Sequence, residues 1–469
     1  MEMLLIELDK QSPVPLYEQI YNQIKNDITD GKLEVGAKLP SKRKLEDFLN
    51  VSQTTIELAY SQLVAEGFIS TKPRQGYYVQ AIEELAYVQP ANQASISAVP
   101  EKEKMQLDFS PGQIDMDSFP FTKWKRYAKE VMDDSSKHLL SLGHPHGDLE
   151  LRREIARYLY HSRGVECTPE QVIVGSGTEQ LLPLLIRILG PAAVYAIEDP
   201  GYPLTHHVFY HNNREAVPIP VDEEGLDVHA LQQTEATVAY VTPSHQFPTG
   251  TVLSAARRTA LLNWAAAGED RYIIEDDYDS EFRYTGRPIP SLQGMDKSGS
   301  VIYVSTFSKS LMPSLRIAYM VLPPRLLEHY SNAFIHYAST VPRFDQQILA
   351  RFMEDGQFSR HLNRMRKLYK RKLYLLTDAF SAYAPEITYS GEEAGMHIIL
   401  NVQIGKDEET LIDQARSNGI RVYGLNSYMK KRTGQQPAIL LGFGGLPETD
   451  IRRSVHRLME TWQIPLPRT

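Results

Sequence analysis

Apolar residues at Leu16, Ile20, Ile24 and Ile28 recur every four positions, which keeps one face of a helix apolar, and Gly31 is placed to end it. Ser41 then offers an N-cap for a short helix with Leu45, Phe48 and Leu49 pointing inward. After a turn at Asn50 and Val51, a second capping serine, Ser52, opens a helix that buries Ile56, Leu58 or Ala59, Leu63 and Val64 before Gly67. Two short helices joined by a tight turn predict a helix-turn-helix. The next stretch, "FISTKPRQGYYV", has two β-prone runs around Lys-Pro-Arg-Gln-Gly and predicts a hairpin, or wing.

From residue 81 to about 107 the chain turns rich in Ala, Gln, Ser, Pro and Glu and reads as a linker between a head, 1–80, and a larger region, 108–469. In that region the short apolar runs "QVIV", "AVYAI", "TVAYV", "YII" and "VIYV" each stop abruptly. They end in "GSGTEQ", "EDPGYP", "TPSHQFPTG", "EDDYDSEF" and "STFSKS". Helical stretches such as Gln180–Leu189 and Ala255–Ala267 lie between some of them, the pattern of an α/β domain with a mostly parallel sheet. Ligands of such sheets bind beyond the carboxyl ends of the strands, where every unusual polar cluster here falls.

Composition narrows the class without deciding it. The chain has 469 residues, 42% of them hydrophobic and 23% charged, and no stretch approaches a membrane span, so a cytoplasmic protein is expected. The one cysteine, Cys167, excludes an internal disulfide and makes no zinc site alone, and no metal is expected. The net charge of -8 argues against a coat for nucleic acid, yet charge in the head is local. Residues 1–79 hold nine Lys and Arg against eleven Asp and Glu, but Lys38, Lys42, Arg43 and Lys44 cluster at the second helix and Lys72 and Arg74 at the hairpin tip. These would clamp phosphates around a reading helix that opens with Ser52, Gln53, Thr54 and Thr55. Pattern alone leaves open a three-helix protein-interaction module.

The strand-end clusters specify one ligand. Lys309 follows the run Val301–Val304; a lysine partly removed from water has a lowered pKa and stays nucleophilic toward an aldehyde. Asp276 follows another buried run and needs a cation, which a pyridinium nitrogen supplies, and the phenol of Tyr278 is placed to reach a ring oxygen. Thr306, Ser308 and Arg316, with the turn Ser176, Gly177 and Thr178 at a helix start, offer hydroxyls, amides and a guanidinium to a phosphate. Aldehyde, ring nitrogen and phosphate together are pyridoxal 5'-phosphate.

Two resemblances extend this reading. "KLPSKRKLEDFLNVSQTTIELAYSQLVAEGFISTKPRQGYYV" resembles the winged helix of the GntR class of bacterial regulators, with Ser41, Arg43, Ser52, Thr55 and Gly76 on matching positions and Gln53 where that class usually carries arginine. From about Ser110 onward the motifs resemble the type I aminotransferase fold, which implies a mostly parallel sheet with flanking helices and a small C-terminal α+β subdomain. The same resemblance implies that Tyr202 covers the cofactor ring and that His245 meets its oxygen. A winged helix, a linker and such a domain in one chain resemble the MocR group of transcription regulators. That implies double-stranded DNA as partner, a domain-swapped homodimer, and a small amino compound sensed as its aldimine; the alternative is a working aminotransferase with a DNA-binding head. "AILLGFGG" places Leu440 where the enzymes hold a substrate carboxylate with arginine, so efficient transamination is not expected. Pro203, Leu204 and Ser427 replace arginines of GABA-sensing relatives, which leaves an amino acid, a D-alanyl dipeptide or the cofactor itself as candidate effectors, with Arg421 and Arg432 as a candidate anion site.

Overall fold

A computed structural model describes residues 6–81, 105–286, 289–430 and 436–465. Most of the expected linker, and Arg432, lie outside the described residues. The chain divides into two compact units, 1–102 and 103–469.

In the smaller unit the helix Leu16–Thr29 buries Ile20, Ile24 and Ile28, and the helices Lys42–Leu49 and Gln53–Ala65 follow. Ser41 Oγ accepts from the Lys44 amide at 3.3 Å and Ser52 Oγ from the Thr55 amide at 3.2 Å, so each serine satisfies an N–H that its helix leaves free. Between them Asn50 takes a left-handed conformation that ends the first helix within one residue. Ile69–Lys72 and Gly76–Val79 pair antiparallel as the wing. One inward position differs from expectation: Phe48 is exposed, because Leu45 alone of that short helix is fully buried and Phe48, three residues on, lies at the margin of the same face. At the open alternative, Ala59 is buried and Leu58 faces solvent.

The larger unit is built on an eight-stranded sheet in the order Val172–Gly175, Ala318–Val321, Val301–Thr306, Tyr272–Asp276, Val238–Val241, Tyr195–Asp199, Ala216–Asp222 and Gly225–Leu226. The second and last strands in that order run against the other six. Alternate residues feed opposite faces: Tyr303 packs with Val172 and Tyr319 on one, Ile302 and Val304 with Ile173 and Met320 on the other. Burial on both faces is why these strands read as continuous apolar runs. A second sheet of four antiparallel strands, Ile387–Ser390, His397–Val402, Ala438–Gly442 and Tyr423–Gly424, shares a core with residues of the helices Gln357–Ser381, Glu408–Ser417 and Ile451–Trp462. Leu107–Asp108 pairs with Ile420–Arg421, and the Gln106 and Leu107 amides donate to the Gly419 carbonyl. This strand pairing spans the 107/108 boundary drawn between linker and larger region. Among the described residues no helix is long and apolar enough to cross a membrane.

Candidate functional site

Six strands that run one way bring their carboxyl ends to one edge of the sheet, and a cavity of about 430 Å³ opens there. Asp276 is the last residue of its strand, and Lys309 sits in the single helical turn Phe307–Ser310 that follows the strand Val301–Thr306. Both line the cavity, as do Tyr202, Tyr278, Thr306, Ser308, Arg316, Gly177 and Thr178.

Burial sets the electrostatics. Removal from water pulls the Lys309 ammonium down to about 8, against the opposing charge of Asp279, and its Nζ donates to the Pro111 carbonyl. The amine is thus largely available as a free base at mildly alkaline pH. Burial likewise pushes the Asp276 carboxyl up to about 7, although Tyr240 donates its hydroxyl to Oδ2. Its other oxygen, Oδ1, is buried without a hydrogen-bond partner. A buried carboxylate oxygen left bare is costly unless a cationic donor meets it. The pyridinium N–H of pyridoxal phosphate is such a donor, so the residues present fit that group.

The phosphate side is equally built. Gly177 caps the helix Thr178–Leu189 with φ +144°, a conformation side-chain-bearing residues rarely adopt, and an added Cβ would collide with the Arg316 guanidinium. Thr306 Oγ1 accepts from the Ser308 amide at 3.1 Å and shares a 2.8 Å bond with Ser308 Oγ. Arg316 itself is left-handed at φ 49°, held at the end of the turn Pro313–Leu315, the kind of backbone strain that persists where surrounding structure demands it. Helix-start amides, two hydroxyls and a guanidinium form a cradle for a phosphate.

Two expected residues stand elsewhere. Ser176 does not line the cavity; its amide donates to Gln180 Oε1 as the helix begins, and Thr178 takes the wall. His245 is also behind the wall, where Phe247 stands instead. Its Nδ1 lies 3.0 Å from Asp279 Oδ2 and 3.0 Å from the Tyr278 hydroxyl, so it bears on the cavity through Tyr278. Gly395, at φ +73°, makes room for that imidazole, because a Cβ there would overlap the ring. His245, Asp279 and His397 offer donor atoms within 4.8 Å of one another, the spacing of a metal cluster. Protein contacts engage Asp279 and His245 Nδ1, as above, and His397, whose Nε2 lies 3.1 Å from the Pro248 carbonyl, while His245 Nε2 is buried without a partner; burial holds His397 well below the usual imidazole range, hence neutral.

Sequence reasoning missed the Ser110–Gly112 segment, Glu179, Thr242, His397, Tyr423 and Tyr428, all of which line the cavity. Tyr240 was legible in principle: it pairs with Ile274 in the neighbouring parallel strand, two residues from Asp276. Leu440 is fully buried in an apolar cluster with Phe247, Ile399, Leu425 and Ala438. Arg421 is held by Asp108 at 3.4 Å and does not reach the cavity lining.

In the head, Arg43, Lys44, Ser52, Gln53, Thr54, Lys72 and Arg74 are exposed, and Lys72 Nζ lies 4.6 Å from the centre of the Tyr78 ring. Ser41 is exposed while its hydroxyl caps the helix; Thr55 and Gly76 are half-buried. Lys42, expected to clamp phosphate, is bound by Glu57 of the reading helix.

Fold and site define a winged helix joined to an aminotransferase-type domain, and comparison with known proteins agrees. Residues 104–430 match the family "Aminotransferase class I and II", which implies dependence on pyridoxal phosphate, and residues 16–79 match "Bacterial regulatory proteins, gntR family". The chain belongs to the MocR-type helix-turn-helix transcriptional regulators. It is 42% identical to the uncharacterized HTH-type transcriptional regulator YdeL of Bacillus subtilis over 97% of this chain and 99% of that one. To the probable rhizopine catabolism regulatory protein MocR of Rhizobium meliloti it is 33% identical, over 97% and 95%. Among solved structures, the multiple substrate aminotransferase of Thermococcus profundus superposes with a TM-score of 0.69 at 27% identity, covering 77% of this chain and 92% of that one.

Proposed function

We propose that this regulator binds pyridoxal phosphate covalently at Lys309 and uses the occupied site to sense a small amino compound, altering how its heads hold DNA. One observation carries the reading: an amine lowered to about 8, a carboxylate with a bare buried oxygen and a hydroxyl–guanidinium cradle converge in a single cavity. When bound, the group supplies an aldehyde that amines can exchange on. Lys309 offers the resident amine, Asp276 holds the ring nitrogen's charge, and Tyr202 with Phe247 walls the ring side at 5.3 Å between their centres. Thr306, Ser308, Thr178 and Arg316 hold the phosphate.

The effector end of the cavity favours an amine that needs no guanidinium clamp. Leu440 is apolar and buried, His397 is neutral, and Tyr423 and Tyr428 supply the polar edges. An amino acid, a D-alanyl dipeptide or the cofactor itself is favoured over GABA because Pro203, Leu204 and Ser427 stand where GABA-sensing relatives carry arginines. The regulator works in the cytoplasm as a homodimer with exchanged heads, and Arg43, Lys44, Gln53, Thr54, Lys72 and Arg74 meet the operator. Absorbance titration of purified full-length protein tests the reading. A spectral shift with one amine and none with GABA, accompanied by a change in DNA affinity, supports it; rapid release of a keto acid makes the chain an aminotransferase instead.

A further inference from the structure

The phosphate cradle contains a carboxylate as well as a guanidinium. Glu179, in the first turn of the helix Thr178–Leu189, places its carboxyl against the Arg316 guanidinium, and both line the cavity. The space that any side chain at position 177 would take is filled by these two groups, so the glycine there makes the pair possible as much as it serves a phosphate. The helix start favours anions of either kind, since its free N–H groups attract a carboxylate and a phosphate alike. Neither partner is locked by packing: Arg316 is 48% exposed and Glu179 43%.

From this geometry we infer that Glu179 is an internal competitor for the cofactor's phosphate, lowering the site's affinity so that its occupancy follows the free cofactor concentration. The inference rests on the reading that this cavity takes pyridoxal phosphate. A phosphate dianion that engages Arg316 must displace the Glu179 carboxylate or sit beside it. At about 5 Å and a water-like dielectric, suited to two groups near half exposure, the repulsion between a dianion and a carboxylate is worth on the order of ten-fold in affinity. A glutamine at the same position keeps the shape and the hydrogen-bonding reach of the side chain and removes that charge. The competition acts on the phosphate alone, so a ligand with the same ring and aldehyde and no phosphate escapes it.

Full-length wild type, Glu179→Gln and Glu179→Ala are titrated with pyridoxal phosphate and separately with pyridoxal, with affinity read by absorbance and the off-rate by a chase; inorganic phosphate serves as competitor. Both variants are expected to bind pyridoxal phosphate about ten-fold more tightly, with slower release and stronger inhibition by inorganic phosphate, and to bind pyridoxal within two-fold of wild type. Equal or weaker binding of pyridoxal phosphate by the variants, with wild type still binding, overturns the role of Glu179 and leaves the cofactor reading standing. An equal gain for pyridoxal also overturns it, since the effect would not reside in the phosphate. No binding by any of the three proteins removes the cofactor reading and this inference with it.

Discussion

Replacing Asp276 with asparagine removes a charge that the cofactor-free protein holds at a cost. The folded carboxyl titrates near 7 and the unfolded one near 3.8. At pH 5 the folded chain therefore keeps a proton that the unfolded chain has released, and the group's contribution to stability is present in full only below the unfolded value. It fades as pH rises and is gone above the folded value. Integrating between pH 5 and pH 8 gives a loss of about 3 kcal/mol from this one side chain. Glu198, Glu275 and Glu281 are also pushed up to about 7 by burial, so wild type carries further loss over the same window. The difference between wild type and Asp276→Asn reports that group together with its raising effect on the neighbouring Glu198. All three tryptophans, Trp124, Trp264 and Trp462, lie in the larger unit, so urea unfolding followed by tryptophan fluorescence reports on that unit. On passing from pH 5 to pH 8 the cofactor-free variant is expected to lose about 3 kcal/mol less than wild type. Equal losses in the two proteins, or a wild type that gains more than the variant, would refute the claim that Asp276 is a buried charge awaiting a cationic partner.

Other outcomes follow from single contacts. Arg163 Nε meets Asp277 at 2.7 Å with the two side chains 5% and 1% exposed, so Arg163→Met strands a buried carboxylate and is expected to cost about 3–5 kcal/mol in chemical denaturation. Ser52→Ala removes the cap on the Thr55 amide and is expected to destabilise the head by about 1 kcal/mol, seen as faster hydrogen exchange at Thr55. Lys72→Ala and Arg74→Ala are each expected to weaken DNA binding and reduce its salt slope by about 1, whereas Lys42→Ala changes the slope less because Glu57 already holds that amine.

The sequence disclosed the parts of the site that lie on single strand ends and little of what crosses between elements. Asp276, Lys309 and the Thr306–Ser308 pair stand where an apolar run stops, and that stop is itself the signal. His397 and Tyr423 arrive from the four-stranded sheet and Tyr428 from the helical turn Leu425–Tyr428 that follows it, whose approach to the cavity depends on packing that no local pattern encodes. Ser176 and His245 lie off the cavity lining for different reasons. The serine precedes the helix by two residues, enough to turn it off the wall, and the histidine lies two residues before Phe247, which takes the wall position. The head was legible because its capping serines act within three residues of themselves; Phe48 was not, because a helix of eight residues buries only Leu45 fully and its spacing does not say how far the buried face extends.

Covalent attachment at Lys309 is tested by incubating the protein with pyridoxal phosphate, reducing with borohydride and locating the adduct by peptide mass spectrometry. Modification is expected at Lys309, absent in Lys309→Ala, with a rate of capture that rises as pH passes through about 8. No adduct, or one distributed over surface lysines and unchanged in Lys309→Ala, rules out a covalent cofactor site at Lys309.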